Sequence, residues 1–151
     1  LAENKSSLRP FGRQEPQKGG VFMIKWREEF RIGVEEIDQQ HQKLFAIAGE
    51  AYDLLKNDLL TDKYDRIVNI IEELRDYTVY HFGFEEQYMA SIGYKKLLSH
   101  KVIHDDFIAK LNEVNLDHID ENQDQYLTEL LDFVVQWIEK HILGTDKLIV
   151  S

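Results

Sequence analysis

Histidine and glutamate recur at helical spacing within residues 81–104, HFGFEEQYMASIGYKKLLSHKVIH. His81 and Glu85 are four positions apart, and so are His100 and His104. Residues four positions apart stand on one face of an α-helix, one turn from each other. Each pair therefore points two donor groups in the same direction, which is an arrangement suited to binding a metal ion.

Two further histidines, His41 and His141, fall on the apolar faces of other helical patterns. Buried imidazoles need partners, and apolar faces interrupted five times by histidine would make a poor core unless the nitrogens bind metal. Six donors exceed what one tetrahedral zinc ion can use, and they suit two six-coordinate ions that share a carboxylate. Imidazole-rich sites favour iron over calcium or magnesium, which prefer oxygen ligands.

A seventh donor, Asp146, follows His141 by five residues in the segment HILGTD. Five residues correspond to about 140° of rotation on an ideal helix, so helix geometry alone does not bring the two side chains to one site. Gly144 lies between them. We expect the helix to end near Leu143 and the chain to turn at Gly144, which would return Asp146 to the metals.

These donors belong to four amphipathic patterns in which apolar and donor residues recur at steps of three and four. The four faces are Ile37, His41, Leu44, Phe45, Ala48, Tyr52 and Leu55; Ile67, Ile71, Leu74, Thr78, His81, Glu85 and Tyr88; Leu97, His100, His104, Phe107, Leu111 and Val114; and Leu127, Leu130, Leu131, Val134, Ile138 and His141. The connections near residues 57–62, 91–95 and 116–122 are short and polar, with Thr61 and Asp120 as candidate N-caps. The patterns predict an all-α, up-down-up-down antiparallel four-helix bundle with an N-terminal arm.

The composition limits the remaining possibilities. The chain has 151 residues, a net charge of −10 and no cysteine. These values indicate one domain and argue against nucleic-acid or anionic-membrane partners and against cysteine-ligated metals. No apolar run approaches the ~18 residues of a membrane span. We expect a cytoplasmic monomer, with residues 23–151 forming the domain and the polar residues 1–22 forming a flexible arm, a linker or a remnant of the expression vector.

From about Trp26 to Ile149 the chain resembles the hemerythrin family, in particular its bacterial single-domain members. The resemblance rests on the segment IDQQHQKLF around His41, the HxxxE and HxxxH pairs, and the HxxxxD that ends at Asp146. It implies a non-heme di-iron centre, bridged by an oxo or hydroxo group, that binds O2 reversibly for storage, delivery or scavenging.

By position, the resemblance assigns His100, His104 and His141 to one iron, which is saturated. It assigns His41 and His81 to the other iron, which has an open position. Glu85 and Asp146 would bridge the two irons. It also implies that Trp137 and Ile138 line an apolar O2 pocket. We expect three other residues to take no part in the metal site. We expect Glu86 to point away into solvent, His118 to lie in a solvated loop, and Gly83 to be small so that helices can approach closely.

Two other functions stay open at this point. An O2- or redox-sensing domain of a larger receptor would use the same centre, as would a di-iron enzyme that acts on peroxide or nitric oxide. Oxygen-activating bundles typically carry several glutamates with Glu-x-x-His motifs. The chain contains no such motif, so we expect a binding protein rather than an enzyme.

Overall fold

The computed structural model describes residues 25–57, 59, 63–114 and 124–151. The arm predicted for residues 1–22 lies outside these ranges, so the proposed division of the chain stays a prediction. The candidate caps Thr61 and Asp120 and the loop residue His118 also lie outside them.

Four α-helices account for most of the described residues, and these residues contain no β-strand. The all-α prediction is therefore confirmed. In none of the described helices do length and apolar character together reach what a membrane crossing needs. The helices, in chain order, are α1 (Glu35–Lys56), α2 (Lys63–Ser91), α3 (Leu97–Asn112) and α4 (Asp124–Gly144), and short 3-10 helices span Glu28–Phe30 and Asp146–Ile149.

Neighbouring helices run antiparallel. α1 packs against α2 and α4, and α2 packs against α3. The Nε2 atom of His41, near the start of α1, lies 3.2 Å from the Oε2 atom of Glu85, near the end of α2. The Nε2 atom of His100, near the start of α3, lies 3.1 Å from the Nε2 atom of His141, near the end of α4. The predicted up-down-up-down bundle is thus confirmed, and one end of it gathers the starts of α1 and α3 with the ends of α2 and α4.

The apolar core fills the bundle alongside and beyond the donor residues. All four helices contribute to it through the faces that the sequence patterns indicate, although Tyr52, Tyr88 and Leu97 are only half-buried. Burying one such side chain stabilises the fold by roughly 1.5–3 kcal/mol. The core residues with no exposed surface are Phe30, Ile37, Ala48, Ala51, Ile67, Leu127, Leu131 and Val135.

A short N-terminal segment fixes the start of α1. The Phe30 ring stacks on Phe45 with centroids 5.1 Å apart. The buried Asp38 carboxylate accepts hydrogen bonds from the backbone amides of Ile32 at 2.8 Å and Gly33 at 3.0 Å. Gly33 adopts φ +100°, a conformation that favours glycine. These contacts set the direction in which α1, and with it His41, enters the bundle.

The turn from α2 to α3 is a Schellman motif. Gly93 has φ +66°, and its amide donates to the carbonyl of Ala90 at 3.2 Å. The next amide, of Tyr94, donates to the carbonyl of Met89 at 2.9 Å. This pair of bonds ends a helix sharply. The predicted connection at residues 91–95 is therefore confirmed, and it places the start of α3 beside the end of α2.

Gly83 does not serve close helix packing. It lies inside α2, and a Cβ atom built on it would meet no neighbouring atom within 4 Å. The prediction that its small size permits close approach of helices is wrong, because the space beside it is open.

Candidate metal centre

The structure brings all seven predicted donors to the same end of the bundle. Each is buried, and none is more than 6% exposed. Their nitrogen and oxygen atoms form two overlapping groups that could each hold a metal ion, with ligand atoms within 4.8 Å of one another. One group contains Glu85, His100, His104, His141 and Asp146, and the other contains His41, His81, Glu85 and Asp146.

The three-histidine group has the spacing of ligands on one ion. His141 Nε2 lies 3.1 Å from His100 Nε2 and 3.0 Å from His104 Nε2. With metal–nitrogen bonds of about 2.1 Å, two ligands at 90° are about 3.0 Å apart, whereas tetrahedral ligands are about 3.4 Å apart. The observed spacing therefore fits the 90° angles of six-coordinate geometry better than a tetrahedral zinc site.

Glu85 divides its two oxygens between the groups. Its Oε2 atom lies 3.2 Å from His41 Nε2 and 3.1 Å from His81 Nε2. Its Oε1 atom lies 3.1 Å from His104 Nε2 and 3.6 Å from His100 Nε2. One carboxylate oxygen thus faces each group, which is the geometry of a carboxylate that bridges two ions.

Asp146 also divides its two oxygens between the groups. Its Oδ2 atom lies 3.2 Å from His41 Nε2, and its Oδ1 atom lies 3.1 Å from His100 Nε2 and 3.0 Å from His141 Nε2. The side chain is fully buried. A second carboxylate in a bridging position follows from this placement.

The chain returns Asp146 to the site by a different route from the expected one. α4 continues through Gly144, which is not among the glycines with positive φ. The amide of Thr145 closes the last helical turn by donating to the carbonyl of His141 at 2.8 Å. Thr145 then leaves the helix with φ −121°, and a 3-10 helix starts at Asp146. The prediction of a turn at Gly144 is wrong because the change of direction occurs one residue later.

In the metal-free protein, the histidines and carboxylates of the site shift one another's pKa values. Burial alone would lower the pKa of His41, but contact with Asp146 and Glu85 outweighs it and raises the pKa to about 9. The pKa of His100 is raised to about 9 for the same reasons. Burial would raise the pKa of both carboxyl groups, yet the surrounding histidines hold each of them below its usual range. The two carboxylates therefore stabilise the protonated forms of His41 and His100.

Hydrogen bonding leaves part of the donor set unsatisfied. Among the described residues, Glu85 Oε1 and both side-chain oxygens of Asp146 are buried without a well-oriented hydrogen-bond partner. A buried polar atom without a partner costs roughly 1–3 kcal/mol, more when it is charged. Metal ions shared by the two carboxylates would satisfy all three oxygens, so the residues present fit a pair of metal ions.

A small cavity adjoins the two-histidine group. Its volume is about 10 Å³, which is room for about one water-sized sphere. Both predicted pocket residues line it, and the Trp137 ring stacks on the His141 imidazole at 4.5 Å. Besides donors, the lining consists of Leu44, Thr78, Phe82, Trp137, Ile138 and Ile142.

Two polar residues that hold the histidines were not predicted. Gln40 Oε1 lies 2.7 Å from His81 Nδ1. Glu86 Oε2 lies 2.9 Å from His104 Nδ1, so the prediction that Glu86 points away into solvent is wrong. Each residue is adjacent in sequence to a donor and lies about 100° from it around the helix. At that angle a side chain can reach the neighbouring helix, but the spacing along one helix does not show whether it does.

Comparison with known proteins agrees with this geometry. A family model described as the hemerythrin HHE cation binding domain matches residues 32–151. The chain belongs to the hemerythrin family. Over 125 residues it is 53% identical to a bacteriohemerythrin of Clostridium acetobutylicum, covering 83% of this chain and 97% of that protein. A bacteriohemerythrin of Stenotrophomonas maltophilia is 30% identical, over 84% of this chain and 79% of its own length.

Hemerythrins from outside the bacteria are similar as well. A myohemerythrin of Theromyzon tessulatum is 31% identical over 121 residues, which cover 80% of this chain and 86% of that protein. The resemblance inferred from the donor motifs is confirmed by these matches.

Proposed function

We propose that this hemerythrin-family chain binds O2 reversibly at a centre of two iron ions held by the seven donors. The observation that carries the proposal is that both carboxylates give one oxygen to each histidine group, which defines two adjacent metal positions. When bound, the iron pair supplies the electrons for O2 binding and recovers them on release.

The two positions are unequal, and this inequality supports placing the O2 site at one of them. The group of His100, His104 and His141 offers three nitrogens and two carboxylate oxygens, whereas the group of His41 and His81 offers two nitrogens and two oxygens. The second position therefore has fewer protein ligands. The cavity is lined by both histidines of this group and by one histidine, His141, of the other, which supports placing a small ligand at the second position.

The cavity lining favours reversible binding over chemical conversion. Apart from donor residues, Thr78 supplies the one polar side chain among the described lining residues. Its hydroxyl donates to the carbonyl of Leu74 at 2.7 Å, so it is already engaged. An apolar pocket that admits little water limits the delivery of protons to bound O2 and so slows its reduction. We therefore propose a binding protein rather than an enzyme.

No described feature favours the sensor or the peroxide- or nitric-oxide-metabolising enzyme over O2 binding. Both stay as alternatives, and irreversible oxidation in the test below would favour a redox sensor or an enzyme. The cytoplasmic location and the monomeric state expected from the sequence also stay predictions.

The test is metal analysis together with optical spectra of one sample, first reduced without air and then exposed to air. We expect two irons per chain, a colourless reduced form, and charge-transfer bands that appear in air and vanish when O2 is removed. His81→Ala should lower the iron content and abolish these bands, whereas His118→Ala should do neither. Irreversible conversion to ferric iron would favour an enzyme or a redox sensor. Full helicity with no iron would refute the proposal.

A further inference from the structure

The His104 ring is held by one contact on its face and another at its edge. The Phe82 ring lies parallel to it, with centroids 3.8 Å apart and planes 1° from parallel. At the ring edge, Nδ1 meets Glu86 Oε2 at 2.9 Å. An ionised carboxylate can only accept a hydrogen bond, so His104 donates through Nδ1. This fixes the tautomer in which Nε2 carries a free electron pair directed at the metal position.

The other histidines lack this contact. His81 Nδ1 meets the neutral amide oxygen of Gln40 at 2.7 Å. The Nδ1 atoms of His41 and His100 have no hydrogen-bond partner in the described part of the chain. Within the described ranges, Glu86 is therefore the carboxylate that meets an outer ring nitrogen, and it does so in the three-histidine group.

We propose that Glu86 is a positioning residue that makes the two iron positions electronically unequal, an inference that rests on the proposed di-iron function. A carboxylate that accepts the Nδ1 proton makes the imidazole a stronger electron donor to its metal. Stronger donation favours Fe(III) over Fe(II) in the group that contains His104. Gln40 orients His81 in the other group without adding charge, so that position retains Fe(II) more readily.

The surroundings of Glu86 allow this to be tested without disturbing the core. Its side chain is 21% exposed, and its second oxygen, Oε1, lies 3.9 Å from Lys101 Nζ. Lys101 itself pairs more closely with Asp105, at 3.0 Å. Glu86 therefore stands between solvent and the His104 ring, and replacing it leaves the buried apolar contacts in place.

Four variants of the full chain separate orientation from charge. Glu86→Gln retains an acceptor oxygen and removes the charge, and Glu86→Ala removes both. Gln40→Glu adds a charge to the other group. Glu73→Gln is the matched control, because it removes an exposed carboxylate from the same helix. Each variant is checked for helicity by circular dichroism and then loaded with iron.

Two quantities are measured without air: the rate at which a chelator removes Fe(II), and the Fe(III)/Fe(II) reduction potential, titrated with one-electron reducing dyes. We expect Glu86→Ala to release iron about tenfold faster or more, since loss of such a partner typically weakens binding by 10–100-fold. Glu86→Gln should release iron more slowly than Glu86→Ala but should have a raised potential. A tenfold change in the preference for Fe(III) corresponds to 59 mV. Gln40→Glu should lower the potential, and Glu73→Gln should change neither quantity.

The inference is overturned if both Glu86 variants match Glu73→Gln in release rate and potential. It is also overturned if Glu73→Gln shifts the potential as much as Glu86→Gln does, because the effect would then be only that of distant charge. Failure of the proposed function has a different signature, in which the unaltered chain binds no iron pair. Release of Co(II) from the same variants would still show whether Glu86 positions His104.

Discussion

Binding of metal to the metal-free protein should expel about two protons at neutral pH. Without metal, contact with Asp146 and Glu85 raises the pKa of His41 and of His100 to about 9. Only the neutral imidazole can bind a metal ion through Nε2, so each of these histidines must lose its proton when metal enters.

The size of the effect follows from the two pKa values. With a pKa of about 9, each histidine is about 97% protonated at pH 7.5, whereas a histidine of ordinary pKa would be about 9% protonated. Together the two release about 1.9 protons at pH 7.5 and about 1 at pH 9. A metal-bound water could also release a proton, but its contribution would not fall between pH 7.5 and pH 9. The diagnostic quantity is therefore the fall of about one proton between these pH values.

The assay is calorimetric titration of the metal-free protein with Co(II), in buffers of different ionisation enthalpy, at several pH values from 7 to 9.5. His41→Ala should reduce the release near pH 7.5 by about one proton if it still binds metal. A release that stays flat across this range would refute the reasoning. It would mean that the imidazoles of the metal-free protein are neutral and that its carboxylates are balanced in another way.

Three other predictions concern stability and the pocket. The metal-free protein should be most stable near pH 5–6.5. The raised histidine pKa values contribute stability that is lost as pH rises toward 9, and the lowered carboxyl pKa values contribute stability that is lost under acid conditions. A melting temperature that stays flat from pH 6 to 9.5 would contradict this. Ile138→Ala, which truncates a buried wall of the cavity, should cost about 2–5 kcal/mol of unfolding free energy. By admitting water, this substitution should also speed the irreversible oxidation of the O2-bound form. The rate of that oxidation is measured as the decay of the absorption bands. Gly83→Ala should stabilise α2 by about 0.5–1 kcal/mol, since the added methyl group meets open space; urea denaturation showing destabilisation would count against it.

The sequence predicted the bundle because the periodicity of its apolar faces indicates the helices, and the short connections between them favour antiparallel neighbours. The i,i+4 pairs identified four donors directly, because both members of each pair stand on the same helix face. Asp146 was harder to place, since its position depends on the backbone of Thr145 rather than on helical spacing. A pattern of side chains along a helix carries no information about where the chain leaves it.

Helical periodicity did not predict the contact between Glu86 and His104. Its position beside Glu85 puts it outside the inward face of α2, and periodicity alone treats such a position as solvent-exposed. Its contact with His104 depends on how closely α3 packs against that flank of α2. Distances between helices arise from the packing of all their side chains, so a pattern on one helix could not reveal this contact.

The placement of the donors also governs how the molecule moves. His41 and Asp146 come from opposite ends of the described chain, and the donors between them come from α2, α3 and α4. Metal ions shared by these residues act as a cross-link, so no helix can detach at that end without losing a ligand. The far end has weaker ties, such as the Arg75 guanidinium, which donates at 2.7 Å to the carbonyls of Leu111 and Val114. Amide hydrogen exchange in the loaded protein should therefore be slowed most at the metal end, while the opposite end continues to open and close by local fluctuation.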